Sequence, residues 1–578
     1  MKKSVLYALA ASVMVLASCD DMLDKTPRSE FTNNPEFWSN SNSVESYSNT
    51  LYENYSGYGQ GGSGGWFYFK SLSDDQADPN FENWTFTTIP NTSSYWSSAF
   101  TEIRRCNYII EGMAMSSLDD AVKKNYEAIA RLNRAWQYFN LVRQYGDVQW
   151  QEKVILDPND EAVNQPRTDR DLVIDNVVAD LDYAISNLTT TKAGNAWSKH
   201  MALAMKSDVC LFEGSYCKYR TQADNGKAAD PARAEKYFKL CVEASEQLMA
   251  AGYSLTKNYG EVYNSVDLST NPEVIFWRNY HKDVLGHSTV DYTTGSTAQK
   301  GITKDAIDAF LFRDGKPLAT TTLDKDDKAY LVCLPKKGTT AVDTIYSLSK
   351  MLSTRDKRLS VLIDSVACFK GHGWVRGGNT QMTAEMTSST AYTIHKYDNL
   401  EMGADNPTLY RNGIGSGYTD APIYWISVIY LNYAEAKAEL GTLTQTDLDN
   451  TINKLLARAD VPAMDLNPQA DPANNHGVSN LLWEIRRCRR CELMTDNWYR
   501  YWDLVRWHQL DKLDSSKYPN INRGANLSNV TDCQVTLDGG YVVATGKTRS
   551  FDKKYYFWPI PQNQCSLSPA TVQNDGWK

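Results

Sequence analysis

Gly61-Gly-Ser-Gly-Gly65 has the G-x-S-x-G spacing of a hydrolase nucleophile elbow. In that elbow a strained strand-to-helix turn lifts a serine hydroxyl toward its base. The flanks here do not supply the turn. Tyr55-Ser-Gly-Tyr-Gly-Gln60 before it is rich in turn residues, and Trp66-Phe-Tyr-Phe69 after it has no helical rhythm. The stretch reads as a flexible loop, and Ser63 is not expected to be a nucleophile. Asp74 and Asp75 in Ser73-Asp-Asp-Gln76 resemble one half of a glycosidase pair. A glycosidase needs two carboxylates held a defined distance apart across a sugar ring, and adjacent loop residues do not establish that. The pair reads either as turn or cap chemistry or as acceptors for sugar hydroxyls, and Asp75 is kept as a candidate contact.

Metal and nucleotide chemistry fare no better. The chain contains no H-E-x-x-H and no G-x-x-x-x-G-K-[ST]. Leu323-Asp-Lys-Asp-Asp-Lys328 lacks the glycine and the distal glutamate of a calcium loop. Cys488 and Cys491 form a C-x-x-C, but no second pair or histidine spacing completes a four-ligand zinc set. Cys488 continues the apolar stripe of Leu481 and Ile485, which points to core packing. No cofactor and no catalytic set are expected. The net charge of −9 offers no basic footprint for nucleic acid.

Helical periodicity dominates two blocks, about 99–251 and 424–511. Ala128, Leu132, Ala135, Phe139 and Val142 fall on one helix face, and Gly146 after Tyr145 supplies a stop. Further helices are predicted near 99–114, 169–188, 199–218 and 232–251. Ile429, Tyr433, Ala436 and Leu440 open the second block. A longer helical run from Ser479 to about Gln509 is predicted to break near Thr495–Asn497. Paired helices joined by short turns suggest a tetratricopeptide-like solenoid. The segments 57–98 and 253–423 lack this rhythm, and loops of such length in a compact protein are usually functional. The expected fold is mostly α: a tetratricopeptide-like helical-pair scaffold whose long irregular loops and small β elements form a binding face.

The start of the chain carries an address. Lys2 and Lys3 precede an apolar stretch, Val5 to Ala17, that is shorter than the roughly 20 residues of a membrane span. It reads as a signal peptide. Leu16-Ala17-Ser18-Cys19 looks like a lipobox, which makes residues 1–18 a lipoprotein signal, Cys19 the lipidated residue and 19–40 a tether. Residues 41–578 are expected to form a single domain. Acyl chains on Cys19 would be its membrane attachment. Asp20, Asp21 and Asp24 resemble the export signal that sends lipoproteins of Bacteroidota to the outer face of the outer membrane.

Several segments resemble signatures of the SusD/RagB family. They include Arg134-Ala-Trp-Gln-Tyr-Phe-Asn-Leu-Val-Arg-Gln-Tyr-Gly-Asp147 and Tyr430-Leu-Asn-Tyr-Ala-Glu-Ala436, followed by Ile452-Asn-Lys-Leu-Leu-Ala-Arg-Ala-Asp-Val461. Ile485-Arg-Arg-Cys-Arg-Arg-Cys-Glu-Leu493, Arg500-Tyr-Trp-Asp-Leu-Val-Arg-Trp507, Phe557-Trp-Pro-Ile-Pro-Gln562 and Asn574-Asp-Gly-Trp577 come next, in the family's order. Cys488, Cys491 and Trp558 depart from the usual pattern at packing positions. The resemblance implies four tetratricopeptide-like pairs, an irregular glycan-binding face, and a SusC-like TonB-dependent outer-membrane transporter as partner.

The chain holds 16 Trp and 35 Tyr, a surplus that suits sugar binding because pyranose C–H faces stack on flat rings. The candidate contacts are aromatics outside the helical blocks: Trp66, Tyr68, Trp84, Trp96, Tyr292 and Trp374. Trp136, Trp498, Trp502 and Trp507 have core spacing and are left out. Glycan capture and delivery is the leading expectation. A peptide-binding scaffold serving the same kind of transporter is the alternative, and a hydrolase has no assembled catalytic set behind it.

Overall fold

The computed structural model describes residues 33–65, 72–157, 160–191, 195–294, 300–335, 340, 342–373, 388–399, 401–402 and 414–578. Cys19, Trp66, Tyr68 and Trp374 lie outside the described residues.

The chain is mostly helical with small sheets, as expected. Among the described residues nine helices carry the scaffold: α1 (Ser94–Met115), α2 (Asp120–Tyr145), α3 (Arg170–Asn187), α4 (Lys199–Tyr219), α5 (Pro231–Met249), α6 (Ile426–Glu439), α7 (Ile452–Arg458), α8 (Asn480–Glu492) and α9 (Tyr499–Arg506). From α1 to α6 each packs on the next, and α8 then packs on α6 and α7. In α2 the predicted stripe from Ala128 to Val142 is fully buried. The neighbouring Ile129 and Trp136 are buried too, because α2 lies between α1 and α3. Gly146 ends it at φ +75°, closing the last turn with a bond to the Val142 carbonyl (2.9 Å). The break after α8 is a turn in which Thr495, Asn497 and Trp498 all have positive φ.

The strands are short. β1 (Gly59–Gln60) and β2 (Ser63–Gly64) form a hairpin, and β3 (Gln76–Ala77) precedes α1. β4 (Val274–Arg278) pairs antiparallel with a later strand, Ala421–Trp425, joining Val274 to Trp425 and Arg278 to Ala421. That pairing has a topological consequence. The 279–420 segment is an excursion that leaves and returns at one two-stranded stem, and the stem leads straight into α6.

Cys488 and Cys491 are buried and free, and burial pushes the Cys488 thiol up to about 11. Asp171, Glu213 and Cys217 are spaced closely enough for a metal, but cations already fill the cluster. Arg170 and Arg233 hold Glu213, while Arg220 and Lys227 hold Asp171.

Candidate functional site: a loop face on a glycine and histidine frame

Three segments far apart in sequence meet beyond the β4 stem: the β1–β2 hairpin, residues 280–294 and residues 414–420. Their backbones interlock. Gly61 N–H donates to the Gly286 carbonyl (2.8 Å), while His287 and Gly417 exchange two backbone bonds (2.8 and 2.9 Å). Ser288 joins all three, its hydroxyl donating to the Gly61 carbonyl (2.6 Å) and accepting from Gly415 N–H (2.8 Å). Such close approach needs glycine. A Cβ on Gly286 would stand 2.0 Å from the Gly415 carbonyl oxygen, and one on Gly59 would stand 2.1 Å from that of Ser63.

His287 is fully buried at the centre of the frame. Its Nε2 faces the Thr419 carbonyl (3.0 Å), so that nitrogen carries the proton, and Nδ1 accepts from Thr289 N–H (3.4 Å). A second proton on Nδ1 would set two donors against each other. Burial pushes the imidazole down to about 4, against the pull of the Thr419 carbonyl. The folded pKa lies below the unfolded value of about 6.5, so this contribution is present above pH 6.5 and lost as pH falls toward 4. It amounts to about 3 kcal/mol. Hydrogen exchange of the 280–294 amides is therefore expected to accelerate between pH 6.5 and 4 beyond its intrinsic trend. His287→Gln should abolish the excess, and an unchanged excess in that variant would disprove the assignment.

The Gly61-Gly-Ser-Gly-Gly65 motif sits in this frame as a hairpin with Gly61–Gly62 at its tip. Ser63 lies in strand β2 of that hairpin, and both ring nitrogens of His287 are engaged by Thr419 and Thr289. His287 is therefore not placed as a base for Ser63.

Tyr292 is half-buried, and its phenol donates to the Gly62 carbonyl (3.2 Å) across the hairpin tip. Ile414, 74% exposed, flanks the same glycine. Of the described candidates, Tyr292 is the one the fold leaves on this face. Asp75 is buried instead, accepting from Arg490 Nε (2.8 Å) beside Asp74, which Arg500 clamps through two bonds (2.7 and 2.6 Å). The acidic pair thus ties the β3 loop to α8 and α9. Trp84, 7% exposed, stacks on Tyr555 (4.1 Å between centroids) and donates its indole N–H to the Ser550 carbonyl (2.8 Å). Trp96 lies in the first turn of α1, not in an irregular segment, and packs edge-on against Tyr145. Those two rings have their faces committed to the core.

A model of the SusD family matches residues 248–577. A second, described as "Starch-binding associating with outer membrane", matches residues 21–211. This chain belongs to the SusD family. A SusD-like protein of Bacteroides ovatus is 22% identical over 282 residues, 45% of this chain and 47% of the relative. The chain spans about half the length of the curated relatives it matches. The crystal structure of a SusD-like carbohydrate binding protein from Bacteroides fragilis aligns with a TM-score of 0.67 at 21% identity, covering 92% of this chain and 99% of that one. A laminarin binding SusD-like protein aligns at 0.54 and 17% identity, over 93% of this chain and 100% of that one.

In this SusD-family chain two of the signature arginines, Arg489 and Arg506, are structural. Arg489 bonds Asp503 and Asn432, and Arg506 bonds Glu435 and Asp503, all in the core. His287 and the glycines that frame the loop face carry no periodic signal. The run Gly286-His-Ser288 has no local hallmark, because its partners come from two other segments.

Proposed function

We propose that this chain is a glycan-binding lipoprotein of the cell surface that captures an oligosaccharide and passes it to a SusC-like TonB-dependent outer-membrane transporter, performing no chemistry itself. Its membership of the SusD family carries the reading, since the matched residues 248–577 include two of the three segments of the loop face. The carbohydrate and laminarin binding recorded in the names of two proteins of the same fold supports it. The oligosaccharide is assigned to the face around Tyr292, with Trp66, Tyr68 and Trp374 as further ring contacts. Ring faces bury sugar C–H surface while a few fixed polar groups orient the hydroxyls. Lipidation at Cys19 would hold the protein to the outer membrane; among the described residues no helix is long and apolar enough to cross one.

The test is isothermal titration of residues 20–578 against laminari-, xylogluco- and malto-oligosaccharides and a set of short peptides. One glycan class should bind, and Tyr292→Ala should weaken it about tenfold, the equivalent of ~1.4 kcal/mol. Binding of peptides with no glycan would replace this reading with peptide capture.

A further inference from the structure

A cavity of about 330 Å³ opens between the first turns of α1, the C-terminal half of α2, Asp208 on α4, Tyr424 and the Asn497–Trp502 stretch. None of these elements contributes to the loop face. Its walls are the rings of Trp136, Trp498 and Trp502. Arg143 and Asp208 face it with their bonding capacity unfilled. Arg143 bonds the Asn140 side chain and stacks on Trp502 (4.5 Å) and Phe139 (4.8 Å), while its Nε is buried without a partner. Among the described residues the Asp208 carboxylate makes no hydrogen bond or ion pair. Nor do the phenol groups of Tyr424 and Tyr499 make a hydrogen bond there. Burial pushes the Asp208 carboxyl up, with Arg489 and Arg143 only partly opposing. Three acids of the core are treated differently: Glu435, Asp74 and Glu213 are each clamped by guanidinium groups. A cation and a carboxylate left open to one cavity do not serve to hold the fold together, because each bears a desolvation cost without a paired gain.

The backbone beside this cavity is strained. Thr495, Asn497 and Trp498 have φ of +72°, +43° and +61°, a region that disfavours side chains beyond glycine and most of all bulky ones. Such conformations persist where the surroundings over-determine them, and they cluster at binding sites. Here the result is that the half-buried Trp498 stands in the cavity wall, stacked at 22° on Trp502.

We propose that this cleft is a second sugar site, separate from the loop face, that takes a single pyranose or the end unit of a short glycan. The proposal rests on the glycan-binding reading above. Each sugar hydroxyl both donates and accepts, so it needs a mixed floor. Asp208 accepts, Arg143 donates, and Gln137 and Asn140 do both. Arg143 offsets Asp208, and the third charged group of the lining, Glu102, is paired with Arg105 (2.9 Å), so the floor is neutral overall, which fits an uncharged polyol and not a phosphate or a uronate. The indole walls supply the apolar surface for the ring C–H face. A volume at the lower end of small-molecule pockets, about 300–1,000 Å³, suits one or two sugar units.

The experiment follows tryptophan fluorescence and binding heat of residues 20–578 on titration with glucose, galactose, mannose, xylose, laminaribiose and cellobiose, with glycine and diglycine as zwitterionic controls. At least one sugar should give a saturable change. Asp208→Ala and Trp498→Ala should weaken it by about tenfold or more, while Tyr292→Ala leaves it intact. Asp208→Asn, which keeps the volume, carries the test if Asp208→Ala fails to fold. Oligosaccharide binding lost in Tyr292→Ala, with no small sugar bound in the wild type, would overturn the cleft proposal and leave the loop face standing. No glycan of any length bound would overturn both, and saturation by diglycine alone would make the cleft a zwitterion site.

Discussion

Glu435→Ala is expected to lower the apparent unfolding free energy by about 3–5 kcal/mol, among the largest losses available to a single side chain here. Glu435 is fully buried on α6. It accepts from Arg506 through both oxygens (2.8 and 2.6 Å) and from the Trp507 indole (2.7 Å), with Arg486 Nε 3.4 Å away. Burial alone pushes its carboxyl up, but Arg506 outweighs that and leaves it at about 2. Removing the carboxylate leaves Arg506 with Asp503 and Arg486 with Glu439 as their remaining acids, and the lost solvation of the guanidinium N–H groups that Glu435 had satisfied is the main cost. Glu435→Gln should recover only part of the loss, because the amide keeps the volume and one acceptor but not the charge. Urea unfolding of the three proteins measures this. A loss below about 1 kcal/mol, the range of exposed pairs, would mean that the cluster is screened by water.

The second large effect is expected from Asp74→Asn, and it depends on pH. Asp74 joins the β3 loop to Arg500 on α9, with Arg490 on α8 3.3 Å from its carboxylate. Burial raises its pKa, but Arg490 and Arg500 overcome this and hold the carboxyl well below the usual range. The folded pKa is therefore below the unfolded value of about 3.9. The resulting stability is present above that value and lost as pH falls beneath it. At pH 7 the variant should lose about 3 kcal/mol or more, since a buried charge pair is broken from one side. Below about pH 4 the gap narrows, because Asp74 in the unfolded chain takes up a proton that the folded protein still refuses. A gap between the two proteins that stays constant from pH 7 to pH 3 would show that the loss comes from packing and not from charge.

Both effects bear on function, because the same ion pairs set which groups remain to bind anything. Asp74 and Asp75, adjacent acids on a loop, have the sequence look of sugar-hydroxyl acceptors. They are instead the anchors of α8 and α9, with Asp75 pushed up to about 6 by burial against the pull of Arg490. Asp208, in the middle of a helical stripe, has no such look, yet it is the acid left open to a cavity.

The helices were readable from the chain because their cause is local. Apolar residues recur every 3.6 positions, Gly146 stops α2, and the family signatures lie in order along the chain of one scaffold. The aromatic surplus was readable as a number but not as a site. Whether a ring face is open depends on what packs over it. Trp84 is covered by Tyr555 from the far end of the chain, and Trp96 by Tyr145 from the next helix. Core spacing likewise put Trp136 and Trp502 in the interior, correctly, but helical period says nothing of a cavity between helices. The tertiary structure alone decided the frame of His287, where three remote segments exchange backbone bonds. Period thus determined the helical scaffold, and the signature segments in their order carried the resemblance to the family, because both are set by near neighbours in sequence. Long-range packing decided which side chains are free to bind, because burial and charge pairing are set by partners hundreds of residues away.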